Sequence, residues 1–514
     1  MSEKVVIYDT TLRDGAQTEG ILFSTDDKLE MLKEMDSFGI DFIECGWPGS
    51  NPTDDEFFKK LKDIDLKRSK AVAFGSTRRH DLRPENDPNL KALAESPVDW
   101  CCIFGKAWDF HVTEALKIGL DENLDMVEDS VRFLVRSGKH VIFDAEHFFD
   151  GYRSERKYAL NVLKAAEAGG AEWLVLCDTN GGSMPTEISE AVEEVLLSVD
   201  TPLGIHCHND CDMATAGSLA AVDYGCTMVQ GTINGLGERC GNANLCTVIP
   251  NLVLKMGVET SDMNLQELTS LSRSIGDIVN VTPRPDMPYV GDMAFTHKGG
   301  MHISAMMKDT RTYEHIDPSA VGNTRKILVS EMSGRASIAE KLGELGLDNQ
   351  DDADEIIGKI KEMESKGYQY EGADASFELL VRRLRGEPIS RFTVKGFRIN
   401  IDNRVGEMDS EASIKVLDSE GVMEQTAADG NGPVNALDKA LRKSLMRFFP
   451  EIDNMRLIDY KVRALDERSA TAAGVRVLIR STDGKRSWTT VGVSENVVGA
   501  SLIALVDAFE YYLL

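Results

Sequence analysis

The sequence is poor in basic residues for the number of acidic ones that it holds. Its 514 residues include 57 Lys and Arg against 85 Asp and Glu, which gives a formal net charge of −28. Nucleic acids and anionic membranes bind basic faces, so this balance argues against both as partners. No apolar run approaches the ~20 residues of a membrane span, and the strand-like start MSEKVVIYDTTLRDG leaves no room for a signal peptide. We therefore expect a soluble, cytoplasmic protein without a membrane partner.

Patterns for disulfides and for nucleotide binding are missing as well. The nine cysteines are scattered, odd in number and without a C-x-x-C pair, which is typical of reduced cytosolic thiols. The chain has no G-x-x-x-x-G-K-[ST] motif, and no glycine-rich dinucleotide turn follows the first strand-like segment. We therefore predict neither a P-loop nor a nucleotide redox cofactor.

The first half of the chain alternates short β-branched runs with amphipathic stretches. The runs recur about every 25–40 residues, the length of one strand, one helix and two loops around a parallel sheet. Eight such units predict a closed (β/α)8 TIM barrel. An open doubly wound sheet is the alternative, but its dinucleotide turn is absent. The predicted strands are residues 5–10, 41–46, 71–76, 100–105, 141–146, 173–179, 203–208 and 227–234.

The pattern changes in the second half. Residues 283–325 are rich in Pro, Gly, Met and His, and helical patterns follow at 335–346, 353–366 and 374–385. Two strand-rich segments come next, each ending in a helix, which indicates an internal repeat. We therefore predict an α/β catalytic barrel (1–265), helical linker subdomains (266–387) and a C-terminal α+β regulatory domain (388–514).

Polar residues stand at the carboxyl ends of six of the predicted strands. In a (β/α)8 barrel these ends form one rim, where the active site lies. Convergence from six strands is hard to explain as surface decoration, so we predict an active site there. The residues are Arg13, Asp14, Glu44, Asp144, Glu146, Asp178, Thr179, Asn180, His206, His208, Asn234, Glu238 and Asn242.

His206 and His208 form an H-x-H pattern on the seventh predicted strand. Because side chains alternate along a strand, both imidazoles point to one face and can reach one metal ion. H-x-H alone more often marks two hydrogen-bonded histidines, but this pair ends a strand at the rim. A carboxylate from Asp14 would complete a mixed nitrogen and oxygen set, and Asn242 is able to face the metal. Such a set suits Mg²⁺, Mn²⁺, Zn²⁺ or Co²⁺.

Two further residues are of types suited to catalysis. Arg13 adjoins Asp14, and an arginine buried at the rim is a natural electrophile beside a bound oxo group, although a surface cation is the plainer interpretation. His302 lies in THKGGMHISA, outside the barrel. Loop histidines are mostly solvated, but the glycines here permit a mobile segment that brings a general base over the rim.

Several motifs occur together and in order: DTTLRDGAQ (9–17), CDTNGG (177–182), GIHCHND (204–210), NGLGERCGN (234–242), GGMH (299–302) and YEHIDPSAVGN (313–323). On these motifs the first two thirds of the chain resemble the 2-isopropylmalate, homocitrate and citramalate synthases, metal-dependent barrel enzymes that condense acetyl-CoA with a 2-oxo acid. The segments DGAQTEGILFS and GWPGSNPTDDEFF resemble the longer citramalate synthases, which use pyruvate. The C-terminal third resembles the family's amino-acid-sensing regulatory domain.

The resemblance implies a site, residue by residue. The implied metal ligands are Asp14, His206, His208 and Asn242. The other matching residues are Arg13 beside the substrate oxo group, Thr179 at its carboxylate, Gln17 in the substrate site, Glu146 and His302 in acid/base work, and Tyr313 near the acyl-CoA. Which of Glu146 and His302 takes the proton stays open. Ala16 stands where many relatives carry an acidic or amide residue, which leaves the choice of substrate open.

The implied reaction condenses acetyl-CoA with pyruvate and hydrolyses the product to (R)-citramalate and CoA, the first step of a pyruvate route to isoleucine. The resemblance also implies a divalent metal, a homodimer and feedback by isoleucine at the C-terminal domain. The alternatives are a 2-isopropylmalate synthase acting on 2-oxoisovalerate, a related lyase, a metallohydrolase barrel and a catalytically inactive amino-acid sensor. The lyases lack a long C-terminal domain, the hydrolases carry H-x-H on the first strand, and a sensor does not need the full Asp, His, His, Arg and Glu set.

Overall fold

The computed structural model describes residues 4–328, 335–345, 347, 352–404, 407–465 and 474–514. The chain divides into two compact units. The first comprises Met1–Phe295 and Asp317–Thr324, and the second comprises Thr296–Ile316 and Arg325–Leu514. The three-part division with boundaries at residues 265 and 387 remains a prediction.

Eight parallel strands of the first unit close into a barrel in which β8 pairs with β1. The predicted TIM barrel is therefore confirmed. The last strand is shorter than predicted, because the chain leaves the sheet after Gly231 and forms a tight turn at Ile233–Gly235. The strands are β1 (Val6–Asp9), β2 (Phe42–Gly46), β3 (Lys70–Ser76), β4 (Trp100–Lys106), β5 (His140–Glu146), β6 (Trp173–Asp178), β7 (Leu203–Cys207) and β8 (Met228–Gly231).

Helices connect these strands, and local signals set their ends. Ser24 and Asp27 cap α1 reciprocally, and Gly39, at φ 107°, ends it in the left-handed region. Proline occupies the first turn of α2, α3 and α7, where no backbone N–H is needed. The helices are α1 (Thr25–Phe38), α2 (Pro52–Leu61), α3 (Pro88–Glu95), α4 (Leu120–Arg136), α5 (Phe148–Ser154), α6 (Arg156–Gly169), α7 (Pro185–Leu196), α8 (Ala214–Asp223), α9 (Leu245–Pro250) and α10 (Leu268–Ile278).

The barrel strands are buried on both faces, which explains why they read as continuous apolar runs. On β5, Ile142 belongs to the cluster inside the barrel, whereas Phe143 lies beside Val127 of α4 on the outside. The same alternation carries Asp144 inward, where it lines a cavity at the barrel mouth. Side-chain alternation therefore delivers the polar residues at the strand ends into one place.

The second unit begins with a parallel pair of two-residue strands and then forms helices and two antiparallel sheets. Each sheet has three strands and is followed by a helix, as the predicted internal repeat requires. Among the described residues, no helix is both long and apolar enough to cross a membrane. The elements are β9 (Thr296–His297), α11 (Gly300–Met306), β10 (Lys326–Ile327), α12 (Arg335–Glu344), α13 (Ala353–Ser365), α14 (Asp374–Leu384), β11 (Phe392–Arg404), β12 (Glu407–Asp418), β13 (Met423–Gly430), α15 (Pro433–Leu445), β14 (Arg456–Ala464), β15 (Val475–Thr482), β16 (Ser487–Ser494) and α16 (Val497–Tyr512).

Candidate active site

The polar residues at the strand ends surround one cavity of about 300 Å³ at the barrel mouth. The sequence-predicted residues that line it are Arg13, Asp14, Gln17, Asp144, Glu146, Thr179, His206, His208 and Glu238. Asn242 is buried beside them, and its side chain helps to lower the pKa of Asp14. His302 and Tyr313 belong to the second unit. Of the ten site residues that the resemblance implies, eight therefore belong to the first unit and lie at or beside this cavity.

Asp14, His206 and His208 form a compact cluster of metal-binding atoms. Their nitrogen and carboxylate ligand atoms all lie within 4.8 Å of one another, and all three residues are buried. The Nε2 atom of His206 lies 3.6 Å from Oδ2 of Asp14. His208 follows the last residue of β7, so the two histidines stay two residues apart on the inner face as predicted.

Three buried polar atoms around this cluster have no hydrogen-bond partner among the described residues. They are Oδ1 of Asp14, Nδ1 of His208 and Oδ1 of Asn242. A buried polar atom without a partner costs about 1–3 kcal/mol, so folded proteins rarely keep one without a reason. Two oxygens and one imidazole nitrogen are donors that a borderline divalent cation accepts. The residues present therefore fit a divalent metal.

The charge states of the cluster also fit metal binding. Burial alone raises the pKa of Asp14, but the charge of Arg13 and the neighbouring histidines outweigh it, and the net shift is downward. Burial and the neighbouring His206 lower the pKa of His208 to about 4. At neutral pH the carboxylate is therefore ionised and the imidazole is neutral, which are the forms that bind metals.

Gln230 and Asp144 hold His206 in place. Nδ1 of His206 donates to Oε1 of Gln230 at 2.9 Å, and Nε2 of Gln230 donates to Oδ1 of Asp144 at 3.0 Å. This chain fixes the tautomer that leaves the other nitrogen of His206 free to bind a metal. The sequence analysis missed Gln230; its one signal is a polar side chain within the short apolar strand β8.

Arg13 is held rigidly against one wall of the cavity. Its guanidinium pairs with the fully buried Glu44 and lies 3.1 Å from Oδ2 of Asp14. The guanidinium carbon lies 3.7 Å from the centroid of the Phe74 ring. Burial lowers the pKa of Arg13, but Glu44 and Asp14 raise it more, so the side chain keeps its charge. Arg13 is therefore not the surface cation that the plainer interpretation allows.

Glu146 and Thr179 occupy the opposite part of the rim. Glu146 forms an ion pair with Lys106, a residue that sequence reasoning missed. The hydroxyl oxygen of Thr179 accepts a hydrogen bond of 2.8 Å from the backbone N–H of His147. Because this bond uses a lone pair, the hydroxyl proton of Thr179 remains available to donate to a ligand.

The second unit places His302 and Tyr313 side by side. Both are exposed, and their rings stack with centroids 4.1 Å apart. Nearby in sequence, the buried Glu314 accepts hydrogen bonds from Arg325 at 2.6 Å and pairs with His297 at 3.1 Å. Burial raises the pKa of Glu314, but these two partners lower it further than burial raises it. The catalytic roles of His302 and Tyr313 stay predictions.

A closed parallel barrel whose carboxyl rim gathers an aspartate, two histidines and a largely buried arginine defines a class, the (β/α)8-barrel enzymes with a divalent-metal site. Comparison with known proteins narrows this class. A family model described as HMGL-like matches residues 4–275. Models described as homocitrate synthase post-HMGL domain-like and as LeuA allosteric (dimerisation) domain match residues 289–368 and 371–513.

Whole-chain relatives agree with these models. The chain is 51% identical to an (R)-citramalate synthase of Aquifex aeolicus, over 100% of this chain and 98% of the relative. It is 51% identical to an (R)-citramalate synthase of Geobacter sulfurreducens, over 99% and 97%. A probable 2-isopropylmalate synthase of Methanopyrus kandleri is 33% identical, over 98% of each chain. The chain belongs to the HMGL-like family, in the group of 2-isopropylmalate, homocitrate and citramalate synthases, which confirms the resemblance.

Proposed function

We propose that this protein condenses acetyl-CoA with pyruvate and hydrolyses the thioester product to (R)-citramalate and CoA. The observation that carries the proposal is the 51% identity to (R)-citramalate synthases over essentially the whole chain, against 33% to a 2-isopropylmalate synthase. The cavity supports it, because it combines groups for a carboxylate, a ketone oxygen and a small apolar substituent. Arg13, Gln17 and Glu146 then belong to the working site together with the metal set, and His302 is proposed as a catalytic residue from its match to the family motif.

The proposed metal ligands are Asp14, His206, His208 and Asn242, with Mg²⁺, Mn²⁺, Zn²⁺ or Co²⁺ as the ion. When bound, such an ion supplies Lewis-acid polarisation of the substrate ketone. The chain's own residues do the rest. The hydroxyl of Thr179 donates to the substrate carboxylate, and Arg13 lies where its guanidinium can stabilise the alkoxide that develops on the ketone oxygen.

Removal of a methyl proton from acetyl-CoA needs a base, because the methyl group of a thioester is only weakly acidic. Glu146 and His302 are the two candidates, and Tyr313, stacked on His302, is assigned to the acyl-CoA side. The ion pair with the Lys106 ammonium holds the Glu146 carboxylate at the rim, where it can reach a substrate proton. Deuterium uptake into the acetyl-CoA methyl group, measured in variants that lack one of the two side chains, distinguishes Glu146 from His302. Only loss of the side chain that removes the proton abolishes the exchange.

The first experiment measures CoA-thiol release from acetyl-CoA with Mn²⁺ or Mg²⁺ and each of four 2-oxo acids: pyruvate, 2-oxobutyrate, 2-oxoisovalerate and 2-oxoglutarate. We expect a clear preference for pyruvate that chelation abolishes. A preference for 2-oxoisovalerate would replace the proposal with 2-isopropylmalate synthesis. Thiol release with none of the four acids would contradict condensation and favour the lyase or the sensor.

We also propose that the protein is a homodimer. On β11, Phe397 and Ile401 are 43% and 52% exposed, although they pair across the sheet with the buried Ile414 and Ser410. On β14, Val462 is 50% exposed opposite the buried Val477. Residues that pair directly lie on one face. The apolar layer of the sheets therefore extends beyond the area that the helices cover. We call its exposed part, which includes Phe397, Ile401 and Val462, the open face. A second copy of the chain would cover it.

Feedback by isoleucine at the C-terminal domain is the regulatory part of the proposal. The match to the LeuA allosteric (dimerisation) domain at residues 371–513 supports it. Titration calorimetry with isoleucine and with leucine, beside thiol release at rising isoleucine, tests it. Binding without inhibition, or inhibition by leucine alone, contradicts isoleucine as the effector.

The nine free cysteines support a reducing, cytoplasmic compartment.

A further inference from the structure

The side-chain amide of Asn89 joins two parts of the cavity wall without lining the cavity. Its Oδ1 accepts a hydrogen bond of 2.8 Å from the indole Nε1 of Trp47. Its Nδ2 donates a hydrogen bond of 2.7 Å to the main-chain oxygen of Ser76, at the end of β3. The indole is therefore tied to the strand that carries Phe74, two residues before Ser76.

The backbone of Trp47 is held as firmly as its ring. Its N–H donates to Oδ2 of Asp54 at 2.9 Å, and Asp54 forms a buried ion pair with Lys28. Gly46, at φ 135°, allows this approach, because a Cβ there would lie 2.7 Å from the Asp54 carboxylate. The loop between β2 and α2 thus presents the indole in one fixed position.

Trp47 completes an aromatic wall of the cavity together with Phe74 and Phe104. Its ring meets Phe74 and Phe104 edge-on at centroid distances of 5.6 and 5.9 Å, and these two rings stack on each other at 5.6 Å. Phe143, which precedes the cavity residue Asp144 on β5, packs outside the barrel and is not part of this wall.

The wall lies on the side of the cavity where a substrate side chain is expected. Trp47 directly follows β2, and Phe74 and Phe104 lie on β3 and β4. These positions are across the closed barrel from the ends of β6 and β7, which carry Thr179 and the histidines. A 2-oxo acid with its carboxylate at Thr179 has its ketone between the metal set and Arg13, whose guanidinium lies over the Phe74 ring. Its third substituent is then left to face the Trp47 and Phe104 rings.

We propose that Trp47 determines how large a 2-oxo acid the site accepts, and that Asn89 is a positioning residue that acts through the Trp47 indole. The proposal deepens the proposed function and rests on it. A packed wall that cannot retreat rejects an added methylene by steric overlap, whereas an indole released from its clamp can turn aside and admit it.

The experiment compares kcat/KM for pyruvate, 2-oxobutyrate and 2-oxoisovalerate in the full-length protein with Mn²⁺. In Asn89→Ala we expect the preference for pyruvate over 2-oxobutyrate to fall about tenfold, the lower end of the range for one methylene. Asn89→Leu, which keeps the volume but has no amide, should behave alike and serves if the alanine variant folds poorly. Asn86→Ala, an exposed asparagine just before α3, is the matched control.

A double-mutant cycle shows whether Asn89 acts through Trp47. Trp47→Phe removes the indole N–H, and adding Asn89→Ala to it should leave the preference as in Trp47→Phe alone. An unchanged preference in Asn89→Ala, or an equal loss of kcat/KM for all three acids, would overturn the inference and leave a structural role. If the unmodified protein releases thiol with none of the acids, the proposed function itself fails.

Discussion

The two units of the chain differ in which side chains they leave without partners. At the barrel rim, charged side chains pair within the unit: Arg13 pairs with the buried Glu44, and Lys106 pairs with Glu146. In the C-terminal sheets, apolar side chains on the edge strands β11 and β14 stay half exposed beside a buried core. The rim leaves buried atoms that suit a metal without hydrogen-bond partners, whereas the sheets leave apolar side chains exposed that we propose a second copy covers.

The difference shows which surface each architecture leaves available for binding. A closed parallel barrel has no edge strand, so the groups that it leaves without partners line a small polar cavity. A three-stranded sheet has two edges, and one helix covers it only in part, so a strip of apolar side chains remains exposed on the edge strand. The first suits a small ligand and the second suits a protein surface.

The largest expected effect comes from removing a metal ligand. In His206→Ala we expect the purified protein to lose bound Mn²⁺ and thiol release to fall by more than the roughly 10–100-fold that loss of an outer partner costs. Metal content is measured by atomic emission after dialysis. His80→Ala, at a half-exposed histidine elsewhere on the barrel, is the control and should keep its metal. Full metal content in His206→Ala would break the assignment of the rim as a metal site.

The metal-free rim should make the protein sensitive to acid. His208 has a pKa of about 4 in the folded protein, against 6.5 for the free side chain. Between pH 6.5 and 4, the unfolded chain therefore binds a proton at this residue and the folded chain does not. The stability from this group is full above pH 6.5 and is lost as pH falls toward 4, by about 3 kcal/mol in all. Urea unfolding of metal-free protein at stepped pH measures it. In His208→Gln this component should disappear; an identical pH profile would contradict it.

The next effect tests how the rim holds its ligands. Gln230→Leu breaks the hydrogen-bonded chain from His206 to Asp144 and should weaken Mn²⁺ binding by about 10–100-fold. Asp144→Asn retains an oxygen that accepts from Gln230 and should cost much less. Competition with a fluorescent chelator gives the affinities. Equal losses in the two variants would mean that charge, and not orientation, controls the site.

The sequence predicts the barrel and its rim because both follow from local periodicity. Alternation along β7 places His206 and His208 together, and each strand end supplies its polar group. The partners of these groups follow from no such rule, because Gln230 and Asp144 are 86 residues apart and meet only when the barrel closes. The role of Asn89 is not predictable for the same reason, since its two hydrogen bonds join the start of α3 to the loop after β2 and to the end of β3. The hydrogen-bond partners of the site residues therefore depend on strand register and barrel closure, which composition and motif spacing do not reveal.

The smallest expected effect concerns the open face of the C-terminal sheets. Ile401 is 52% exposed, so a second copy can bury only about half of its side chain, which is worth roughly 1 kcal/mol per copy. We expect Ile401→Ser to weaken self-association by about fivefold for each copy, or more in a symmetric dimer, where the same change occurs twice. Sedimentation velocity over a range of concentrations measures this.

The control for this change is Leu197→Ser, at an 86% exposed leucine on the barrel unit, which should leave association unchanged. An equal weakening in both variants would show that exposed apolar area in general, and not the open face, drives association. A protein that sediments as a monomer at every concentration would remove the contrast altogether, because the half-exposed strip on β11 and β14 would then need no partner.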